Sequence, residues 1–199
     1  MNKGRMEAFS DGVIAIIITV MVLEIKVPHG TDLNALRPSI PTLLSYVLSF
    51  VYIGIYWNNH HHLLQAARQV SGPVLWANLH LLFWLSLIPF VTSWMGENHL
   101  AAVPVALYGV VLFCAGVAYY ILSRALIALH SGDSPLATAV GADLKGKISI
   151  LIYAAAIALS FLSPWLACAL YVVVAVMWLI PDRRIERELT RREGSEHEV

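Results

Sequence analysis

The chain has 199 residues, of which 58% are hydrophobic and only 13% are charged. Ordinary water-soluble domains are about half apolar and about one quarter charged, so this composition favours an integral membrane protein. The formal net charge is zero, which gives no support to nucleic-acid binding. The two cysteines, Cys114 and Cys168, lie far apart within apolar runs, so no disulfide framework is implied.

The first half of the chain predicts three membrane-spanning helices. The apolar run from Val13 to Val27 lacks a small-residue cleavage site, so we interpret it as a retained first helix rather than a signal peptide. A segment with turn formers and two prolines follows, and it is predicted to be a loop or a short interfacial helix. The second helix is expected from about Thr42 to Gln65. The third is expected from Val74 to about Trp94, with a kink at Pro89.

The second half predicts three more helices. The fourth helix is expected from about Val105 to Ser123, and a polar stretch follows from Ser131 to Lys147. The apolar region from Ile148 to Ile180 would form a helix of roughly 50 Å, which is too long for a hydrocarbon core of about 30 Å. The sequence Leu-Ser-Pro-Trp at residues 162–165 divides this region, so we predict two short helices joined by a tight hairpin.

The distribution of lysine and arginine predicts the topology, because cytoplasmic loops carry most of these residues. With six helices and a cytoplasmic amino end, only Lys26 and Arg37 fall on the opposite side. All other basic residues are then cytoplasmic: Lys3, Arg5, Arg68, Arg124, Lys145, Lys147, Arg183, Arg184, Arg187, Arg191 and Arg192. The sequence therefore predicts a single six-helix transmembrane domain over residues 1–185 and a charged cytoplasmic tail over residues 186–199.

Signatures of catalysis are absent, so the sequence does not predict an enzyme or a cofactor. His60, His61 and His62 are consecutive and point about 100° apart on a helix, so they would need help from His80 to hold a metal or a haem. The alternative is that these imidazoles bond between helices to the nearby asparagines Asn58, Asn59 and Asn78. A membrane-embedded metal or haem protein stays open as one function.

Signatures of ordinary channels are also absent, since the chain lacks a glycine-bearing filter loop and a voltage sensor. The first helix carries Ile16, Val20 and Leu23 at i, i+4 and i+7, with Thr19 beside them. This spacing is typical of helix packing or lipid contact. A hydrophobic constriction that gates by dewetting has the same pattern, so periodicity alone leaves pore lining open.

Polar residues precede this apolar stripe. Ser10 and Asp11 are interpreted either as residues that cap or begin the first helix or, for Asp11, as a buried acceptor. Arg5 and Asp11 are six residues apart, so each is expected to find a partner on a neighbouring helix. A proton-coupled transporter with Asp11 and Glu24 as carriers is a further alternative, although both carboxylates are near helix ends.

The segment RMEAFSDGVIAI, from Arg5 to Ile16, resembles the Arg-x-x-x-Phe-Ser-Asp signature of the transmembrane protein 175 family. This family comprises potassium channels of endosomes and lysosomes and their bacterial relatives. Further segments agree with it: TVMVLEIKVP from Thr19, WNNHH from Trp57, and WANL and SLIPF on the third helix. The resemblance covers the chain up to about Gly96, whereas helices four to six match only in number and length.

The resemblance implies a passive, potassium-permeable and weakly selective cation channel in the plasma (inner) membrane of a bacterium. One unit per chain implies a homotetramer in the lipid bilayer, with the first helix lining a central pore through which potassium and other monovalent cations pass. No cofactor and no resident metal are implied. Ile16 would form the narrowest ring, Val20 and Leu23 would add layers outward, and Thr19 would offer a hydroxyl beyond the constriction.

The resemblance also implies a polar network that holds the first helix upright. Its expected members are Arg5, Phe9, Ser10, Asp11, His61 and Asn78. His62 receives no role.

Overall fold

The computed structural model describes residues 3–67, 69–129 and 144–179. Every regular element in these ranges is helical. In chain order they are α1 (Lys3–Leu23), a 3₁₀ helix (Leu33–Ser39), α2 (Ile40–Ala66), α3 (Gly72–Ser86), α4 (Ile88–Glu97), α5 (Ala102–Leu129), α6 (Leu144–Ser160) and α7 (Pro164–Leu179). The predicted tail at residues 186–199 and the topology-setting arginines beyond Leu179 lie outside the described residues.

Among the described residues, four helical stretches are long and apolar enough to cross a membrane, namely Lys3–Leu23, Leu33–Ala66, Gly72–Glu97 and Ala102–Leu129. The last two helices are shorter, with 17 residues in α6 and 16 in α7. Because α3 and α4 form one bent rod, the described helices make about six rods. The prediction of an all-helical, multi-pass membrane protein is confirmed.

Proline residues set two of the helix boundaries. The third rod bends at Leu87, between α3 and α4, and Pro89 lies in the first turn of α4. The missing N–H of a proline costs little there, because the first N–H groups of a helix have no intrahelical partner. Pro164 begins α7 in the same way, after the turn that ends α6. The kink and the hairpin therefore fall where the sequence predicts them.

The start of the first helix differs from the prediction. α1 begins at Lys3, ten residues before Val13, so the interpretation of Ser10 and Asp11 as helix-capping residues is wrong. Ser10 is inside the helix, where its Oγ donates to the carbonyl of Met6 at 2.8 Å. A hydropathy pattern detects only the apolar part of a helix. The first turns of α1 are polar, so the helix begins before the apolar run. In the same way α6 begins at Leu144, within the stretch predicted to be polar.

The core is built around α5, which packs against α3, α4, α6 and α7. Gly109 on α5 allows a close approach of α7, because a Cβ there would overlap the Tyr171 hydroxyl. A Cβ at Gly96 on α4 would likewise overlap the backbone of Thr42 on α2. Such small residues at helix contacts are typical of membrane bundles, where close packing replaces the hydrophobic effect.

A buried chain of hydroxyl groups links three of the helices. Thr92 donates to the carbonyl of Ile88 at 2.6 Å, which leaves its oxygen free to accept from Ser49 at 2.6 Å. Ser49 in turn accepts from the hydroxyl of Tyr108 at 3.0 Å. The chain thus runs from α5 through α2 to α4, and its terminal proton is satisfied by a backbone carbonyl.

α1 lies at the edge of the bundle, against α2, α3 and α4. One side of α1 is buried, and its residues are Met6, Ser10, Ile14, Ile17 and Met21. These positions recur at helical spacing, so they form one stripe that faces the bundle. Much of the opposite surface of α1, including Ile16 and Leu23, is exposed in the protomer.

Candidate functional site

Three buried polar side chains meet where α1, α2 and α3 come together. The Nδ2 of Asn78 donates to the Oγ of Ser10 at 2.9 Å. The Oδ1 of Asn78 lies 2.7 Å from the Nε2 of His60. All three side chains are at most 2% exposed, so each of these polar groups depends on its protein partners for hydrogen bonds.

The partners fix the direction of this chain of hydrogen bonds. The amide oxygen of Asn78 has no proton, so Nε2 of His60 must be the donor. Asn78 then donates to Ser10, and Ser10 donates to the carbonyl of Met6. The chain therefore runs from α2 through α3 and ends on the backbone of α1.

A second contact ties α1 to α2 one residue further along. The indole Nε1 of Trp57 donates to the Oδ1 of Asp11 at 3.0 Å. His61 stacks on the same indole, with ring centroids 6.1 Å apart and an interplanar angle of 24°. Asp11 is exposed, so it is an acceptor at the surface of the protomer rather than a buried one. It does find its partner on a neighbouring helix.

The structure brings together only some of the residues expected in the polar network. Ser10 and Asn78 are bonded to each other, and Asp11 and His61 both contact Trp57. Arg5 and Phe9 are exposed, and the described residues offer neither of them a hydrogen bond or an ion pair.

Trp57 escaped the sequence reasoning, whereas the bond of His60 to Asn78 bears out the expectation that the histidines of α2 bond to asparagines between helices, although that expectation did not say which histidine does so. Three consecutive histidines differ in direction by about 100° per residue, and only His60 faces Asn78. The signal that could have found it is spacing. Tyr52, Tyr56, His60 and Leu63 share one buried face of α2 at i, i+4, i+8 and i+11, whereas His61 lies outside this pattern.

The stripe on α1 is exposed along its whole length in the protomer. Ile16 is 62% exposed, Val20 37% and Leu23 79%. The hydroxyl of Thr19 is also exposed, and it donates to the carbonyl of Ile16 at 2.8 Å. Large aliphatic side chains are not left in this state in an assembled membrane protein without lipid or another helix against them.

An open groove of about 580 Å³ runs between this stripe and the bent third rod. Ile16, Val20 and Glu24 line its α1 side, while Phe90 and Trp94 are among the residues that line its α4 side. The groove is mainly apolar along its length, and carboxylates lie only at the end where α1 terminates.

An ion pair closes that end of the groove. The Nζ of Lys26 lies 2.7 Å from the Oε1 of Glu97, which ties the chain just after α1 to the end of α4. This hydrogen bond to Glu97 raises the pKa of Lys26 above its ordinary value. The contact is exposed, so it orients the segment more than it stabilises the fold.

The histidines do not form a metal site within the part of the chain that the structure describes. No group of three or more His, Cys, Asp or Glu side chains converges there. His60 is bonded to Asn78, and His80 accepts from the indole of Trp84 at 3.0 Å. His62 lies edge-on to His61, and its buried Nδ1 has no hydrogen-bond partner among the described residues.

Fold and site together define a multi-pass helical membrane protein whose first helix is anchored by polar contacts and carries an unpartnered apolar face. The profile of the family described as "Endosomal/lysosomal potassium channel TMEM175" matches residues 5–89. A potassium channel of Chryseobacterium sp. (strain P1-3) is 53% identical over 95% of this chain and 98% of its own length. A potassium channel of Streptomyces collinus is 32% identical over 89% of this chain and 92% of its own length.

A solved structure agrees with these relatives. The crystal structure of a lysosomal potassium-selective channel TMEM175 homologue from Chamaesiphon minutus superimposes with a TM-score of 0.78 at 29% identity, over 89% of this chain and 96% of that one. The zebrafish endosomal/lysosomal proton channel TMEM175 is 30% identical, and this chain spans 26% of its length. The chain belongs to the TMEM175 family, which confirms the resemblance read from the Arg5–Ile16 segment. This is a family of channels and not a class of enzymes.

Proposed function

We propose that four copies of this chain assemble around one axis, and that their α1 helices line a pore for potassium and other monovalent cations. The observation that carries the proposal is the stripe of Ile16, Val20 and Leu23, which is exposed although the opposite side of α1 is buried. The potassium-channel relatives, which match 95% and 89% of this chain, support the ion.

In this proposal the four Ile16 side chains form the narrowest ring, and Val20 and Leu23 form further rings toward the end of α1. Apolar rings of small radius disfavour water and so raise the barrier to a hydrated ion. The hydroxyl proton of Thr19 is held by the carbonyl of Ile16, so its oxygen presents lone pairs to a passing cation. No carbonyl ring replaces the hydration shell, which favours weak selectivity for potassium over sodium.

The polar contacts of Ser10, Asp11, His60 and Asn78 have a supporting role in this mechanism. They lie at the amino-terminal side of the stripe, and Ser10 is six residues, or about 9 Å along the helix, from Ile16. Hydrogen bonds have preferred distances and angles, whereas apolar contacts tolerate sliding. The network therefore sets the rotation and height of α1, and with them the direction in which Ile16 points.

We place the channel in the plasma membrane of a bacterium, with both chain ends in the cytoplasm. The basis for the location is the bacterial origin of the full-length relatives. The basis for the orientation is the excess of lysine and arginine on one side of the predicted topology.

The test is recording from the purified protein in planar bilayers, with potassium on one side and sodium on the other. We expect discrete conductance steps and a reversal potential shifted toward that of potassium. Ile16→Asn should raise unitary conductance severalfold, because an amide in the ring removes the dewetting barrier. The matched control is Val22→Asn. Val22 is 47% exposed on the same helix but lies roughly 120° away from Ile16, so its conductance should stay that of the unmodified protein.

Equal conductance of Ile16→Asn and the unmodified protein would refute the constriction at this position. A second experiment tests which ion permeates, because animal relatives are named proton channels. With symmetric potassium and a pH gradient, we expect a reversal potential near zero. A reversal potential that follows the pH gradient would assign proton permeation instead, and a flux that saturates with the gradient would indicate a transporter.

A further inference from the structure

The apolar stripe on α1 ends beside a carboxylate that the proposed pore mechanism does not use. The backbone N–H of Glu24 donates to the carbonyl of Val20 at 3.2 Å, so Glu24 continues the helical turn just after Leu23. Four residues separate Glu24 from Val20, which turns its side chain by only about 40° around the helix axis. Glu24 therefore flanks the stripe, and it lines the same groove as Ile16 and Val20.

Only one of the two carboxylates on this groove is neutralised. Glu24 and Glu97 are the only charged side chains among the described residues that line it. Glu97 is paired with Lys26 at 2.7 Å. This hydrogen bond is the main cause that raises the pKa of Lys26, the charge of Glu97 is the next, and the charge of Glu24 contributes least. Glu24 is exposed, and the described residues offer its side chain neither a hydrogen bond nor an ion pair. This end of the groove therefore carries a net negative charge.

The end of α1 is an electrostatically unfavourable place for a carboxylate. The helix dipole puts partial negative charge at a C-terminus, so basic residues are favoured there. The last turn of α1 has no basic residue. The charge of Glu24 is repelled by the end of its own helix, so it does not stabilise that helix. The helix end and Glu24 do, however, both attract a cation from solution.

The apolar rings of the proposed pore do not distinguish cations from anions by charge. The side chains of Ile16, Val20 and Leu23 are uncharged, and a dewetting barrier opposes any hydrated ion. Cation channels commonly obtain this discrimination from rings of Asp or Glu along the ion path. With four chains around one axis, Glu24 would form such a ring immediately beyond Leu23, about 12 Å along the helix from Ile16.

We propose that Glu24 gives the pore its preference for cations over anions, by concentrating monovalent cations at the outer mouth. The inference rests on the proposed pore and deepens it, since it assigns charge selectivity to a residue outside the constriction. Lys26 limits the effect, because its ammonium neutralises the second carboxylate, Glu97. Salt screens the attraction, over a Debye length of about 10 Å at 0.1 M and about 3 Å at 1 M. The effect of Glu24 is therefore large in dilute salt and small in concentrated salt.

The experiment is single-channel recording of the full chain in planar bilayers of phosphatidylcholine, whose headgroups have no net charge. Unitary conductance is measured in symmetric potassium chloride at about 20 mM and at about 1 M. We expect Glu24→Gln to lower the conductance about two- to fivefold in dilute salt and to leave it unchanged in concentrated salt. In a gradient of potassium chloride, the reversal potential of Glu24→Gln should move from near the potassium equilibrium potential toward zero.

Further variants separate the effect of charge from the effect of shape. Glu24→Asp keeps the charge, so its conductance should stay within about 1.5-fold of that of the unmodified protein in both salts. Lys26→Met frees the carboxylate of Glu97 and should raise the conductance in dilute salt. Lys26→Met combined with Glu97→Gln removes both charges of the pair, so this double variant should conduct like the unmodified protein.

Two results would overturn the inference. One is equal conductance of Glu24→Gln and the unmodified protein in dilute salt. The other is an equal loss at both salt concentrations, because salt screens a charge but not a change in the shape of the mouth. Both results require unitary currents from the unmodified protein, so they leave the proposed pore standing. Absence of such currents would refute the pore, and this inference with it.

Discussion

The role of the buried polar contact on α1 can be tested by comparing two serines that differ in one respect. Ser10 and Ser45 are both buried, and each donates to the backbone carbonyl four residues earlier at 2.8 Å. Only Ser10 also accepts a hydrogen bond from another helix, namely from Asn78 at 2.9 Å. Ser10→Ala therefore removes an interhelical contact, and Ser45→Ala removes only the local one.

The magnitudes follow from the cost of an unsatisfied donor. Interhelical hydrogen bonds in membrane proteins contribute on average about 0.6 kcal/mol and at most about 1.7 kcal/mol. Leaving a buried N–H without a partner costs about 1–3 kcal/mol. We therefore expect Ser10→Ala to lower the free energy of unfolding by about 1–2 kcal/mol and Ser45→Ala to change it by less than about 0.5 kcal/mol. Asn78→Ala, which also strands His60, should cost about 2–4 kcal/mol.

The assay is equilibrium unfolding in mixed micelles, followed by circular dichroism as the fraction of denaturing detergent is raised. A double-mutant cycle of Ser10→Ala and Asn78→Ala isolates the contact, and we expect a coupling energy near 1 kcal/mol. Equal losses for Ser10→Ala and Ser45→Ala would refute the reasoning, because the cost would then arise from the serine's own helix. A coupling energy of zero would do so as well.

Two other predictions concern packing and charge. Gly116→Ala should stabilise the fold by roughly 0.5–1 kcal/mol through helix propensity, since its Cβ would meet the nearest side chains at ordinary contact distances of 3.8–3.9 Å. Gly109→Ala on the same helix should destabilise the fold by about 1–3 kcal/mol, because the new Cβ would overlap Tyr171. Unfolding in denaturing detergent measures the stability of both glycine variants. Lys26→Met should leave the unfolding midpoint at neutral pH unchanged within error, since its ion pair is exposed. The raised pKa of Lys26 means that the effect of its pairing is complete below the ordinary value of 10.5 and is lost only as the pH rises above it. A change, between pH 6 and 9, in the difference between the unfolding midpoints of the unmodified protein and Lys26→Met would contradict this assignment.

The helices could be predicted from the sequence because the bilayer makes their lengths and composition distinctive. The kink before Pro89 and the break at residues 162–163 also follow from local chemistry. The start of α1 could not be predicted in this way. Its first turns, around Lys3 and Glu7, are polar but helical, so α1 extends beyond its apolar part. Hydropathy is not sensitive to that continuation.

The polar site could be predicted only in part, for a geometric reason. Ser10 and Asn78 belong to recognisable sequence patterns, and the structure brings them into contact. The choice between His60 and His61 depends on which side of α2 faces α3, and a difference of one residue turns a side chain by about 100°. No local pattern of the string WNNHHH fixes that rotation. It becomes determined only when the buried face of α2, with Tyr52 and Tyr56, is in place.

The arrangement of α1 explains why a polar anchor and an apolar stripe occur on the same helix. The buried side of α1 beyond Ser10 consists of Ile14, Ile17 and Met21, whose contacts are non-directional and would tolerate a small rotation. The hydrogen bond from Asn78 to Ser10 would not tolerate it, because its strength falls steeply with angle. If the stripe lines a pore, the hydrogen bond from Asn78 to Ser10 fixes the rotation of α1 and therefore the direction of the Ile16 side chain. Ser10→Ala should therefore alter unitary conductance as well as stability, whereas Ser45→Ala should alter neither, and a Ser10→Ala channel with unmodified conductance would show that packing alone holds α1 in place.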